Sequence, residues 1–359
     1  MKHSLSNINT TSSIPMPATT TETTATNQND AADKQAPASS RFAERHHGEH
    51  GDECSVRAVD ELEQLSGIHP TYRRAHASGQ CYRAVFRPNG EAAAWTHAPH
   101  LQQVETEAIV RFSGSSMNPV FADLKSPAKG MAVRFALPDG QYSCLVGVTV
   151  PVFFARTPGS FMDMVTFARK VQDGKAGWTE VLSEMVQHFD EAKDSLRYLQ
   201  KLRPPRSYAT VPYYCIHAYL LTQHDQPGQP VRFEWEPQAG TDHLSIHEAR
   251  QQEDRYLEQE LNQRLHQQPA IFTLYIVLGE PDDPTDDPTV VWPKQRQRVA
   301  IGELSITEPT NEPDHLVMDP TMITDGMELS DDPILQFRSS VYKESWQRRN
   351  QEREEARKS

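Results

Sequence analysis

The chain reads as an α+β fold, an eight-stranded antiparallel β-barrel with flanking helices, and three features of its 359 residues lead there. Eight short runs alternate or cluster apolar residues in the manner of half-buried strands. They fall into two groups of four with a helical block between them, which is not the strict strand-helix alternation of a parallel sheet. From Pro333 to the last residue there is no glycine and no further proline, as expected of a long terminal helix.

In chain order, residues 1–42 are dominated by Thr, Ser, Ala and Asn and form an expected disordered arm, because such a composition buries too little apolar surface to offset ordering entropy. The arm has one early lysine but no apolar stretch behind it, so it is not a secretory leader. Residues 43–359 form the folded domain. His46, His47 and His50 in HHGEH have the side chains to chelate a metal, but in a polar tail the solvated reading is the better one. A short helix follows over Val56–Leu65, then a loop, Tyr72 to Gly79, that feeds a strand starting at Cys81 (CYRAVF). Further strands are expected at Ala108–Phe112, Met131–Phe135, Tyr142–Val146, Tyr213–Leu220, Val231–Trp235, Phe272–Leu278 and Val299–Ile306. Within the central block Ser160 should cap a helix through Val171, and Trp178–Leu202 carries helical periodicity interrupted near Asp190. A helix is expected from Ser245 to His266, and Asp332-Pro333 supplies an N-cap and first helical residue for the last one.

Composition removes several function classes. A net charge of −13 and the lack of a basic stripe argue against nucleic acid, and no apolar run is long enough to span a bilayer. Cys54, Cys81, Cys144 and Cys215 are far apart with no CxxC pair, which fits reduced thiols in a cytoplasmic protein. There is no dinucleotide fingerprint, P-loop or GxSxG elbow, and His247-Glu248 is followed by Ala-Arg-Gln rather than completing HExxH. The acidic run PDDPTDDPT at Pro281–Thr289 is surface turn chemistry without calcium-loop spacing.

The terminal helix carries the chemistry. Steps of three and four from Ile334 reach Arg338, Val341, Tyr342, Ser345 and Arg349, which therefore share one face. A neutral phenol is a poor metal ligand, but a guanidinium one turn away favours its ionised form, a hard anionic oxygen suited to ferric iron. Tyrosine as the proximal ligand of haem in catalase is an established instance of such a donor. By itself the helix is better read as a tyrosine packed beneath a charged surface, since Arg and Tyr at this spacing are common.

A second stretch changes the balance. Arg73-Arg-Ala-His76-Ala-Ser-Gly79, then Val110-Arg-Phe-Ser113, then Leu145 to Phe154, then Met318-Asp-Pro320 and the tyrosine helix, in that order, resemble the haem catalase superfamily from about Tyr72 to Arg349. The resemblance implies a haem b with ferric iron, Tyr342 as its metal ligand and Arg338 keeping that ligand ionised. It implies His76 as the distal acid-base group with Ser113 orienting it. Arg73, Arg111 and Arg349 would hold the haem propionates, and Phe153 and Phe161, with Phe154, would form a haem-facing aromatic wall. His217 also falls at a family histidine, with no role assigned to it.

Two departures steer the functional expectation. Val148 stands where full-length catalases carry a distal asparagine, and the chain stops soon after the tyrosine helix, without the family's C-terminal helical extension. Both point toward the small catalase-related peroxidases. The expected activity is reduction of hydrogen peroxide or organic hydroperoxides, with weak catalase activity at most and an unknown electron donor; the family's habit also suggests a homo-oligomer. The competing expectations are a fatty-acid hydroperoxide isomerase or lyase, like allene oxide synthase, and a haem-binding protein without turnover.

Overall fold

In a computed structural model the described residues are 49–173, 189–224 and 226–358. The arm and His46 and His47 lie outside them, as does much of the expected Trp178–Leu202 helix, and His50 falls among helix positions whose side chains are not described. Ten strands are present: β1 (Gly79–Pro88), β2 (Thr106–Gly114), β3 (Lys129–Ala136), β4 (Tyr142–Val148), β5 (Tyr213–Tyr214), β6 (Tyr219–Leu221), β7 (Gln229–Pro237), β8 (Ala270–Leu278), β9 (Arg298–Thr310) and β10 (Met327–Leu329). Among the described residues six α-helices accompany them: α1 (Glu49–Ser66), α2 (Pro158–Asp173), α3 (Lys193–Lys201), α4 (Ile246–Arg250), α5 (Tyr256–Leu265) and α6 (Pro333–Lys358).

The strands pair in the order β10-β6-β7-β5-β4-β3-β2-β1-β9-β8, and a β7–β8 pairing closes the ring. The closed part therefore contains eight strands, all antiparallel to their neighbours, with β6 and β10 continuing from β7 as a flap. The expected barrel is present. Closure leaves the ring without the free edges that an open sheet exposes to other chains.

The expected run Tyr213–Leu220 is not one strand. It breaks into β5 and β6 around Cys215–Ala218, where Cys215 N donates to Phe233 O at 2.9 Å and His217 turns away to meet Asp332. The helix expected over Ser245–His266 divides into α4 and α5, although Ser245 and Glu248 do form a reciprocal capping box at its start. At α2 the capping roles are exchanged relative to expectation: Thr157 Oγ1 accepts from Ser160 N at 3.1 Å and Ser160 Oγ accepts from Thr157 N at 3.1 Å. Asp332 caps α6 as expected, its Oδ1 accepting from Ile334 N at 2.8 Å and Leu335 N at 3.2 Å.

The alternation of side chains across the barrel wall positions everything that follows. On β2, Val110 and Phe112 point into a core shared with Phe86, Phe135, Phe233, Trp235 and Phe272, all 0% exposed. Arg111 and Ser113, one residue out of phase, point outward. On the same outer face lie Gly130 and Ala132 of β3 and Val146 and Val148 of β4, and α6 lies across them. No helix among the described residues is long and apolar enough to cross a membrane.

Inside the core sits a histidine without chemistry. His100 is 1% exposed, rests 4.8 Å from the Phe135 ring, and has no hydrogen-bond partner on either ring nitrogen among the described residues. Burial pushes its imidazole down to about 3. The unfolded chain therefore binds a proton that the folded chain refuses between about pH 6.5 and 3, so stability is complete above the unfolded value and declines as pH falls through that window. Roughly 3 kcal/mol should be lost by pH 4. Melting temperature measured from pH 7 to pH 4 should fall less steeply for His100→Leu than for the wild type; equal slopes would show that this group does not control the acid limb.

Candidate active site

Between the outer face of β2–β4 and helix α6 lies a cavity of about 920 Å³, counted to its open mouth. His76, Arg73, Arg111 and Ser113 line one side with Val146, Val148 and Gly130, and Arg338, Val341, Tyr342, Ser345, Trp346 and Arg349 line the other. The five polar and apolar positions that sequence periodicity assigns to one face of α6 thus all reach the same cavity, with Trp346 added to them.

His76 sits in the loop before β1 with a left-handed backbone, φ 51°. A non-glycine residue holds this conformation only when its surroundings impose it. Two contacts do so here: Ala77 N donates to Ser116 O at 2.9 Å, and His76 Nδ1 lies 3.0 Å from Ser113 Oγ. Gly130 makes that second contact possible, since a Cβ at this position would lie 2.9 Å from both His76 Nδ1 and Ser113 Oγ. Burial, reinforced by Arg111, Arg338 and Arg73, pushes His76 down to about 4. Its imidazole is therefore neutral near pH 7 and free to accept a proton.

The opposite side is a chain of four groups. Arg338 Nη2 donates to Tyr342 Oη at 2.6 Å, and Arg338 Nη1 donates to His217 Nε2 at 2.9 Å. A guanidinium can only donate, so Nε2 is the acceptor and the ring proton is on Nδ1. His217 Nδ1 then donates to Asp332 Oδ2 at 2.6 Å, both side chains being 1% exposed. Burial pushes His217 down to about 4 despite the Asp332 carboxylate, in keeping with a neutral ring. Sequence reading assigned His217 no role and saw in Asp332 only a helix cap. Asp332 does both jobs with its two oxygens, one for the helix amides and one for the histidine.

At the mouth, cations outnumber anions. Arg73 Nη1 donates to Glu312 Oε2 at 2.5 Å, Arg111 Nε lies 3.5 Å from the same oxygen, and Arg353 Nη2 lies 3.8 Å from the other. Arg73 and Arg349 each donate to Leu316 O at 3.3 Å. The Nε atoms of Arg111 and Arg349 are buried without a hydrogen-bond acceptor among the described residues. Burial and the neighbouring Arg73 push Arg111 down to about 10 and Arg349 down to about 9. A single carboxylate among four guanidinium groups leaves positive charge that a dicarboxylate ligand would balance. Glu312 was not anticipated from sequence.

Phe153 and Phe161 are not among the residues lining the cavity; with Phe154 they pack on one another, ring centroids 4.3 to 6.3 Å apart, in a satellite cluster with Ala155, Met164 and Ile334. Phe153 N donates to Pro288 O at 2.8 Å, which draws the segment after β4 away from the cavity, and its ring ends 6.4 Å from His217, on the tyrosine side. Among the described residues no three His, Cys, Asp or Glu side chains are grouped to hold a metal ion.

With that geometry in place, comparisons with known proteins are informative. A family model described as Catalase matches residues 33–354. The chain is 33% identical over 294 residues to a catalase-related peroxidase of Mycolicibacterium paratuberculosis, covering 80% of this chain and 92% of that one. It is 29% identical to a catalase-related peroxidase of Synechococcus elongatus, covering 82% and 88% respectively. The fold is similar to that of a fungal catalase crystal structure, TM-score 0.71 at 20% identity, covering 81% of this chain and 61% of that one.

Proposed function

The chain belongs to the catalase family, and from that premise we infer that it is a peroxidase: an oxidoreductase that reduces hydrogen peroxide or an organic hydroperoxide using a haem and an external electron donor. The family implies the haem. The residues present suit it, because the unfilled Arg111 and Arg349 donors and the excess of cations at the mouth match a flat ligand with two acid groups. We assign haem b with ferric iron, held by Tyr342, with Arg73, Arg111 and Arg349 around its acids.

The observation that carries the reading is the opposition of two prepared groups across one cavity: neutral His76 fixed by Ser113 on one side, Tyr342 paired to Arg338 on the other. A haem held there would supply the redox centre for the oxidising equivalents of the peroxide. His76 performs the proton work, accepting the hydrogen of the inner peroxide oxygen and returning it to the outer oxygen, which leaves as water or alcohol. Ser113 keeps the ring aimed, and Gly130 keeps space for both. Arg338 donates to the Tyr342 oxygen, and His217 with Asp332 holds Arg338 in turn.

Val148 limits the alternative outcome of the same chemistry. It pairs with Gly130 across β3 and β4, which places it beside the His76–Ser113 contact with no hydrogen-bonding group of its own. Disproportionation needs a second peroxide held in that space, and an apolar wall does not orient it, whereas an alkyl hydroperoxide chain can lie against it. Oxygen release should be slow, and Val148→Asn should raise it about tenfold, the worth of one well-placed hydrogen bond. The deciding experiment supplies the haem-loaded protein with peroxide in the presence and absence of a phenolic donor and analyses products. Donor-dependent consumption supports the peroxidase. Rearrangement of a lipid hydroperoxide with no donor would replace it with an isomerase, and rapid oxygen evolution would restore a plain catalase.

A further inference from the structure

Peroxide reduction consumes two electrons, and nothing assigned so far says where they enter. Of the four tryptophans among the described residues, Trp235 and Trp292 are 0% and 5% exposed inside apolar clusters and Trp95 packs against the barrel core. Trp346 differs. It lies one helical turn beyond Tyr342 on the same face of α6, lines the cavity, and is only half-buried. Its outer neighbour is the exposed ring of His315, 6.0 Å away and inclined by 58°. His315 is held in a left-handed backbone, φ 64°, on the loop whose Leu316 carbonyl accepts from Arg73 and Arg349. One oxidisable aromatic thus bridges the cavity and the surface, about 6 Å along the helix from Tyr342.

We propose that Trp346 is the electron relay of this enzyme, and that the reducing substrates it serves are electron-rich aromatic compounds, phenols or aryl amines, that dock at the Trp346–His315 surface without entering the cavity. The proposal rests on the peroxidase reading above and extends it to the donor. In each relay event the indole gives up one electron inward and is left as a cation radical, its buried ring N–H retained, while one solvent proton enters the open cavity with the electron; a donor molecule then returns one electron to the indole, releases its proton to solvent and leaves as a radical. Two such events balance one peroxide: two donors and one hydroperoxide give two donor radicals, one alcohol and one water. The aromatic character of Trp346 favours this class of donor, because a π-face at the surface stacks on aromatic rings and an indole is among the more easily oxidised side chains.

The test freezes the haem-loaded protein shortly after mixing with peroxide in the absence of donor and records its electron paramagnetic resonance. An indole radical is expected, narrowed when the protein is grown with ring-deuterated tryptophan and missing from Trp346→Phe. In steady state, per haem bound, Trp346→Phe should oxidise a bulky benzothiazoline sulfonate dye about tenfold more slowly, with partial recovery in Trp346→Tyr, a recovery that loss of cavity packing alone would not give. A radical that does not respond to ring deuteration, or dye turnover unaffected by the phenylalanine, overturns the relay alone. If the variant fails to take up haem, the deuteration result on wild type decides. A wild-type protein that cleaves no peroxide overturns the peroxidase reading itself, and the relay with it.

Discussion

Tyr342→Phe is expected to yield a folded protein that no longer retains haem iron. The substitution removes one oxygen, and no other side-chain arrangement among the described residues is grouped to take its place. Little of the fold should be affected, since the ring faces the cavity and the core of the barrel lies on the other side of the sheet wall. The loss should be larger than for Arg338→Ala, which keeps the oxygen but withdraws the charge 2.6 Å from it and the donor that holds His217 Nε2. Haem content after purification and the absorption spectrum of the reconstituted protein measure both. Full haem occupancy with an unaltered spectrum in the phenylalanine variant would show that the ligand lies elsewhere.

Removing the distal imidazole should leave haem in place and remove the proton transfer. His76→Ala is expected to slow peroxide cleavage by about two to four orders of magnitude, the usual worth of a positioned acid-base group. The pH profile adds a second check. With His76 at about 4, the wild-type rate should be flat near neutrality and fall as pH drops toward that value, because the protonated ring can no longer accept. The alanine variant should lack that acid limb. Rapid mixing with peroxide gives both numbers, and a variant that cleaves peroxide at the wild-type rate would remove His76 from the mechanism.

Much of this site could be read before the structure, for physical reasons that differ by region. The face of α6 was legible because a helix without breakers makes residues three and four apart neighbours, so Arg338, Tyr342 and Arg349 converge by geometry alone. The barrel was legible from alternating runs on strands that bury one face. His217 was not, because its partner Asp332 is distant in sequence and its own segment interrupts a strand exactly where apolar alternation suggests continuity; β10, three residues long, leaves too little pattern to detect. Glu312 belongs to an irregular loop, where no period indicates which way a carboxylate points. Phe153 and Phe161 show the converse limit: apolar aromatic rings declare that they will be buried but not against which wall, and here they pack in the cluster with Ala155, Met164 and Ile334.

The order of the chain has a consequence for how the enzyme comes to be made. His76, Arg111, Ser113, Gly130 and Val148 precede the middle of the sequence, the ring of strands is complete at β9, and Tyr342, Arg338 and Arg349 come last, on one rigid helix. On the proposed function, the wall that carries His76 is synthesised before the wall that carries Tyr342 exists. Cofactor capture would then wait for helix α6 to dock onto a finished barrel, and a growing chain would hold no iron before His76 and Ser113 are in place.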